Sequence, residues 1–265
     1  MPSTPETFES SFLQRTGLVL TDALVRLMPR AALRSLALSM ARHRGDTLIH
    51  TITTYERGFD RRRLPPRIEG FVDLAFLFWL TPMNRGILRQ DFDEAALLYR
   101  TLRNLGPKRG VEIGRYSGGS TVLIAAALQS PEALLTSIDA APVADDVLRN
   151  VLTHLDLFER VELVKGHSGQ VEWPEESVLD FVFIDGDHTY EGARRDHLQW
   201  GSRVRPGGLI IHHDMGRARP HATSRSDLYN LRAMILEHQS DDLELIAEAG
   251  SLCVFCRRGQ SWTTF

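Results

Sequence analysis

Cysteine is almost absent from this chain: there are two in 265 residues, Cys253 and Cys256, in a C-x-x-C spacing with no partner pair. That excludes a disulfide framework and a zinc site built from paired cysteines, and leaves both thiols to packing on one short β-like run. Long apolar runs are missing too. The longest, residues 71–80, is interrupted by Asp73 and is too short to span a bilayer, so no transmembrane segment is read. Neither sign of charge is in excess: 31 Lys and Arg against 34 Asp and Glu give a formal net charge of −3, and no nucleic-acid partner follows from it. There is no internal repeat, no low-complexity tract and no Walker lysine. The opening MPSTPETFESSF has no charged segment followed by an apolar stretch, so no secretory signal is read and a cytoplasmic location is expected. With 43% hydrophobic residues, the chain can bury one α/β core with a smaller appended region.

Most of the chemistry-bearing residues fall in residues 179–214, LDFVFIDGDHTYEGARRDHLQWGSRVRPGGLIIHHD. Residues 181–184 and 209–211 read as buried parallel strands, with a helix over roughly 191–204 crossing between them and Pro206-Gly207-Gly208 as the turn into the second. Each strand ends in carboxylates and histidines. In an open α/β sheet the carboxyl ends of the strands form the ligand crevice, so Asp185, Asp187 and His188 are expected to face the same cavity as His213 and Asp214.

A second tract, RGVEIGRYSGGSTVLIAAAL at residues 109–128, reads as a strand ending at Ile113, a glycine-rich turn and a helix from near Ser120. Its glycines fall at Gly114, Gly118 and Gly119, a G-x-x-x-G-G pattern, not the G-x-G-x-x-G that seats a dinucleotide pyrophosphate. A dehydrogenase is thereby disfavoured. Glu112 precedes the turn, and a strand over residues 134–138 ends in Asp139, whose two oxygens suit the two hydroxyls of a ribose. A third strand, 161–164, is followed by Gly166-His167-Ser168. The steps from Glu112 to Asp139, Gly166 and Asp185 are about 20 to 30 residues each, as repeated βα units require. Beyond Asp214 come a helix over 227–238 and two strands, 243–247 and 252–257, joined at Gly250 by so short a link that they must be antiparallel.

A parallel sheet closed by an antiparallel hairpin resembles the class I S-adenosylmethionine-dependent methyltransferases, a Rossmann-like α/β fold. VEIGRYSGGST is similar to the first motif of the catechol and caffeoyl-coenzyme A O-methyltransferases. FIDGDHTYEG and GGLIIHHD resemble the macrocin and cephalosporin-type O-methyltransferases, and the likeness covers residues 91–258. It implies an S-adenosylmethionine site with Glu112, Gly114, Tyr116, Ser117, Gly118 and Ser120 around the methionine part, Asp139 on the ribose, and His167 and Ser168 at the adenine, with Asp185 closing the site. It also implies a divalent metal, Mg²⁺ in the catechol-type enzymes, at Asp185, His213 and Asp214. The second of those positions is a carboxylate in that family, and an imidazole there favours a softer ion or no ion. His188 falls where the catechol-type enzymes carry a lysine base; an imidazole can remove a hydroxyl proton near neutral pH, or the side chain caps the next helix. His213 is the second candidate base if it is not a ligand. His154, His197, His221 and His238 read as surface or packing residues.

The resulting expectation is an O-methyltransferase acting on a small hydroxylated acceptor, a sugar or natural-product scaffold, in a domain spanning 91–265. A metal-dependent hydrolase using the Asp and His cluster leaves Glu112 and Asp139 unexplained, and a non-catalytic cofactor-binding or assembly protein is the remaining alternative. Residues 1–90 form a separate N-terminal region in this reading. Helices over 18–28 and 31–42, broken at Pro29, carry an apolar stripe with arginines elsewhere, and are expected to pack against the core or pair protomers into a homo-oligomer. Residues 47–67 read as a linker, and residues 71–89, with Trp79, Met83 and Asn84, as a lid over the acceptor.

Overall fold

The computed structural model describes residues 64–65, 68–78, 87–143, 145–174, 177–215 and 226–265. The expected N-terminal helices, most of the linker, His221 and the lid residues Trp79, Met83 and Asn84 lie outside them. The core is a seven-stranded sheet: β1 (Arg109–Ile113), β2 (Leu134–Asp139), β3 (Val161–Lys165), β4 (Leu179–Ile184), β5 (Val204–His212), β6 (Leu243–Ala249) and β7 (Leu252–Arg257). The spatial order is β3-β2-β1-β4-β5-β7-β6. Five strands run parallel; β7 pairs antiparallel with β5 and β6. The order reverses between β1 and β4, the switch point where an α/β sheet opens its crevice.

Helices cover both faces: α1 (Phe92–Leu105), α2 (Gly119–Ala127), α3 (Asp145–His154), α4 (Tyr190–Gly201) and α5 (Ser226–His238). Strand alternation assigns the side chains. Phe181, Phe183, Leu209 and Ile211 pack with α1, α2 and α3, while Val182, Ile184 and Ile210 pack with α4 and α5 around the buried Trp200. No helix among the described residues is long and apolar enough to cross a membrane.

Two sequence expectations change. Pro206-Gly207-Gly208 lies inside β5 and not ahead of it: Leu179 pairs with Val204 and Phe181 with Leu209, so the extra residues form an irregularity within one strand. Proline has no N–H to give the ladder and Gly207 has φ +76°, which is why the strand bulges there without ending. Of the described part of the expected lid, residues 71–78 pack against the core, whereas residues 87–89 line the cavity at the carboxyl ends of the strands. Phe71–Leu77 is a 3-10 helix whose Leu74 and Leu77 are buried, and Phe71 meets Phe92 of α1 edge-on at 5.3 Å. Leu74, Ala75, Phe76 and Leu77 are spent on packing, and of its apolar residues only Val72 is exposed.

Candidate active site

A cavity of about 660 Å³ opens at the carboxyl ends of β1, β2, β4 and β5, a size suited to a nucleoside-bearing ligand. Asp139, at the tip of β2, lines one side. Its Oδ2 accepts from the Arg115 and Tyr116 amides at 2.8 and 2.9 Å and its Oδ1 from the Ala141 amide at 2.7 Å. The carboxylate thus shapes the turn after β1 while keeping a lone-pair site for a ligand hydroxyl. Gly114 has φ +84°, and a Cβ there would lie 2.1 Å from the Asp185 carbonyl oxygen, so only glycine lets the ends of β1 and β4 close together. Tyr116, at φ +48°, is a non-glycine residue in the left-handed region, a strain that clusters at ligand sites. Further along the wall, Ser168 donates to Asp196 Oδ1 at 2.6 Å, beside His167 and Arg195.

The other side is an alternating row of carboxylates and imidazoles. His213 is buried, its Nδ1 3.2 Å from Asp185 and its Nε2 3.2 Å from Glu94. His188 Nε2 lies 3.1 Å from Asp214 Oδ2 and 3.6 Å from Asp185 Oδ1. Glu94 comes from the first turn of α1, where its Oε2 also accepts from the Asp91 amide at 2.7 Å; its Oε1 accepts from the amide and hydroxyl of Ser251, in the β6–β7 turn. Asp214 has φ +58°, a second strained residue at the cavity. Hydrogen bonds to Asp185 and then Asp214 push His188 up to about 10. Burial alone would lower His213, but Asp185 and Glu94 raise it well above the imidazole range. Burial would raise Glu94, yet His213 holds it down at about 2.

A sequence profile for a methyltransferase domain matches residues 111–215, the stretch that carries both sides of this cavity. Residues 111–215 thus form a methyltransferase domain, and the chain is similar to S-adenosylmethionine-dependent O-methyltransferases. Tricin synthase 1 of Oryza sativa subsp. japonica is 28% identical to it over 177 residues, covering 63% of this chain and 68% of the rice protein. Two solved structures share the fold. The O-methyltransferase TomG of Streptomyces achromogenes, involved in tomaymycin synthesis and solved with S-adenosylmethionine, gives a TM-score of 0.51 at 18% identity over 63% of this chain and 80% of that one. The Bacillus cereus O-methyltransferase solved with S-adenosylhomocysteine gives 0.51 at 16% identity, over 92% of this chain and 99% of that one.

In this methyltransferase Gly114, Tyr116, Ser120, Asp139, His167, Ser168, Asp185, His188, His213 and Asp214 line the one cavity, whereas Glu112, Ser117 and Gly118 are not part of its wall. The odd residues of β1 point toward α4 and α5, so Glu112 points toward α2 and is wholly buried. Its oxygens accept from Ser120 at 2.5 Å and from Thr121 and Ser137 at 2.6 Å each, and burial raises it to about 6. It fastens α2 to the sheet through these hydrogen bonds. The donor set that converges for a cation is Asp185, His188 and Asp214, whose ligand atoms lie within 4.8 Å of one another. Two carboxylates and an imidazole fit a divalent ion. His213, expected in that set, has both ring nitrogens turned to carboxylates. Sequence reasoning missed Glu94, whose Asp91-to-Glu94 spacing is a capping box and signals only a helix start. It also missed Gln90, a cavity-lining amide 1% exposed whose oxygen and nitrogen have no partner, a wall group of the kind a polar cofactor satisfies. His197 is a packing residue, as expected: it is buried between His212 and Gln239.

Proposed function

We propose that this methyltransferase moves a methyl group from S-adenosylmethionine to a hydroxyl oxygen of a small acceptor. The observation that carries this reading is the joining, in one cavity, of the Asp139 turn with the row His213, Asp185, His188 and Asp214, which Glu94 backs through His213. Displacement at a sulfonium requires alignment of oxygen, carbon and sulfur and removal of one proton. In this proposal Asp139 holds the ribose hydroxyls, and the Gly114 turn lets the cofactor chain approach the backbone. Asp185 and Asp214 would hold a divalent cation, which when bound supplies charge that acidifies an acceptor hydroxyl. His188 takes the proton. With the carboxylates otherwise engaged it loses the anionic contacts that keep it protonated, and its pKa falls toward the range where an imidazole works as a base.

Turnover with S-adenosylmethionine on a panel of hydroxylated acceptors, before and after chelation, tests the proposal. Chelation is expected to lower turnover and a divalent ion to restore it. His188→Gln is expected to cost about 10²- to 10⁴-fold in kcat at nearly unchanged cofactor affinity. Undiminished turnover in verified metal-free enzyme would remove the cation from the proposal, and near-native kcat in His188→Gln would remove the base. A homo-oligomer, read from the sequence alone, is part of the same proposal, checked by light scattering of the full chain.

A further inference from the structure

The cofactor's methionine arm ends in a carboxylate and an ammonium, and the acid that the sequence put nearest that arm is unavailable. Glu112 is buried behind α2 with three hydroxyl donors on it and lines no part of the cavity. Residues 87–90 supply what is missing. They press against the first turn of α2, where a Cβ on Gly119 would lie 2.5 Å from Leu88 Cα. Gly119 at the start of α2 and the Tyr116 ring thus bound one side of residues 87–90. On the other side, the Asp91 amide and His213 Nε2 share Glu94 Oε2, so Gln90 is adjacent to the row of imidazoles and carboxylates. A cofactor with its adenosine toward Asp139 and Ser168 and its methyl toward His188 has this wall left for its third arm.

Two polar groups on that wall have no hydrogen-bond or ion-pair partner among the described residues. Gln90 presents a buried amide with neither Oε1 nor Nε2 bonded. Arg89 lies over the ring of the strained Tyr116 at 5.4 Å, and no ion pair joins it to a described carboxylate. Leaving a buried amide unpaired is costly, so its place in the wall needs a ligand to explain it. Resting on the S-adenosylmethionine reading, we propose that Gln90 and Arg89 are specificity-determining residues for the amino-acid zwitterion of the cofactor. The guanidinium and Gln90 Nε2 donate to the carboxylate, and Gln90 Oε1 accepts from the ammonium. A guanidinium suits a carboxylate because its donors form a planar fork.

Calorimetric titration of the full chain with S-adenosylhomocysteine and with 5′-methylthioadenosine, which keeps the nucleoside and thioether but lacks the amino-acid end, tests this. Gln90→Leu and Arg89→Ala are each expected to weaken S-adenosylhomocysteine about 10-fold or more, as lost charge-assisted hydrogen bonds do, while leaving 5′-methylthioadenosine within about twofold. The ligand-free thermal midpoint of Gln90→Leu is expected to hold or rise, because an unpaired amide has been removed from the interior; Gln90→Met, closer in shape, serves if Leu packs badly. Equal losses on both ligands would mark these residues as structural and overturn the assignment. So would unchanged S-adenosylhomocysteine affinity with a raised acceptor KM, which moves them to the acceptor. Failure of the native protein to bind S-adenosylhomocysteine at all would instead overturn the cofactor reading beneath it.

Discussion

His188 and His213 stand in the same row of carboxylates and differ in what surrounds them. His213 is enclosed by Asp185 and Glu94, whereas about half of the His188 side chain faces the cavity. Only His188 is therefore placed to exchange its partner for a ligand. In metal-free protein its ring is expected to titrate well above 6.5, near 10, because Asp185 and Asp214 favour the imidazolium. Saturating Mg²⁺ or Zn²⁺ should move that midpoint down, followed by NMR of the imidazole Cε1–H; a midpoint near 6.5 without metal would mean that the carboxylates do not hold it. At the other wall, Asp139→Ala should weaken S-adenosylhomocysteine by about 1.5–3 kcal/mol, through the lost acceptor and through a turn that no longer has Asp139 to bind the Arg115 and Tyr116 amides. Titration at native affinity would take Asp139 out of the site. Asp139, Asp185 and Asp214 were legible in the sequence because each follows an apolar run that must be a strand. Glu94 was not, since His213 and Ser251, which it joins, lie 119 and 157 residues away and no local pattern connects them, and nothing in the sequence around Gln90 marks it as a cavity residue.

Among the elements, α1 and the β6–β7 turn are tied to the sheet edge through one buried carboxylate. Glu94→Ala should cost about 3–5 kcal/mol in urea unfolding, since it leaves His213 half-paired and the Ser251 donors without their acceptor. Glu94→Gln should cost less; equal stability of Glu94→Ala and native protein would show that the tie is idle. Between α4 and β5, burial holds His197 at about 4, below its unfolded value of 6.5. The unfolded chain then binds the extra proton first, so stability is fully present above pH 6.5 and falls by about 3 kcal/mol as the pH drops toward 4. Urea midpoints across that window should show the decline, and His197→Asn should shrink it, leaving the part due to His212, which burial also holds well below 6.5. Most element bounds followed from periodicity: α1 and β7 fall where the apolar spacing ends at Gly106 and Arg257. The β5 bulge did not follow, because Pro-Gly-Gly signals a turn equally well whether the strand stops there or continues past it.

For the whole molecule, alternating βα units implied a parallel sheet, and the short link at Gly250 implied the antiparallel pair. The insertion of β7 between β5 and β6 was not implied, because strand order depends on which edges the two packed faces leave open. Nor did the sequence show that Phe71–Leu77 belongs to the core, since an apolar aromatic run reads the same whether it caps a site or fills a layer. If the two sides of the cavity hold one cofactor, S-adenosylhomocysteine at about 100 times its Kd should stabilise the protein by about 2.7 kcal/mol. A thermal midpoint that ignores it would separate the cavity from the cofactor.

The Ser251 contact also bears on biosynthesis. Glu94 and the Ser251 that grips it are 157 residues apart, and the β7 strand after Ser251 pairs with β5 just ahead of His213. During translation the turn that carries Asp139 can form as soon as β1 to β3 have emerged, but the row from Glu94 to Asp214 waits for the last hairpin to leave the ribosome. A nascent chain thus acquires the Asp139 turn well before the opposite wall of the cavity is complete.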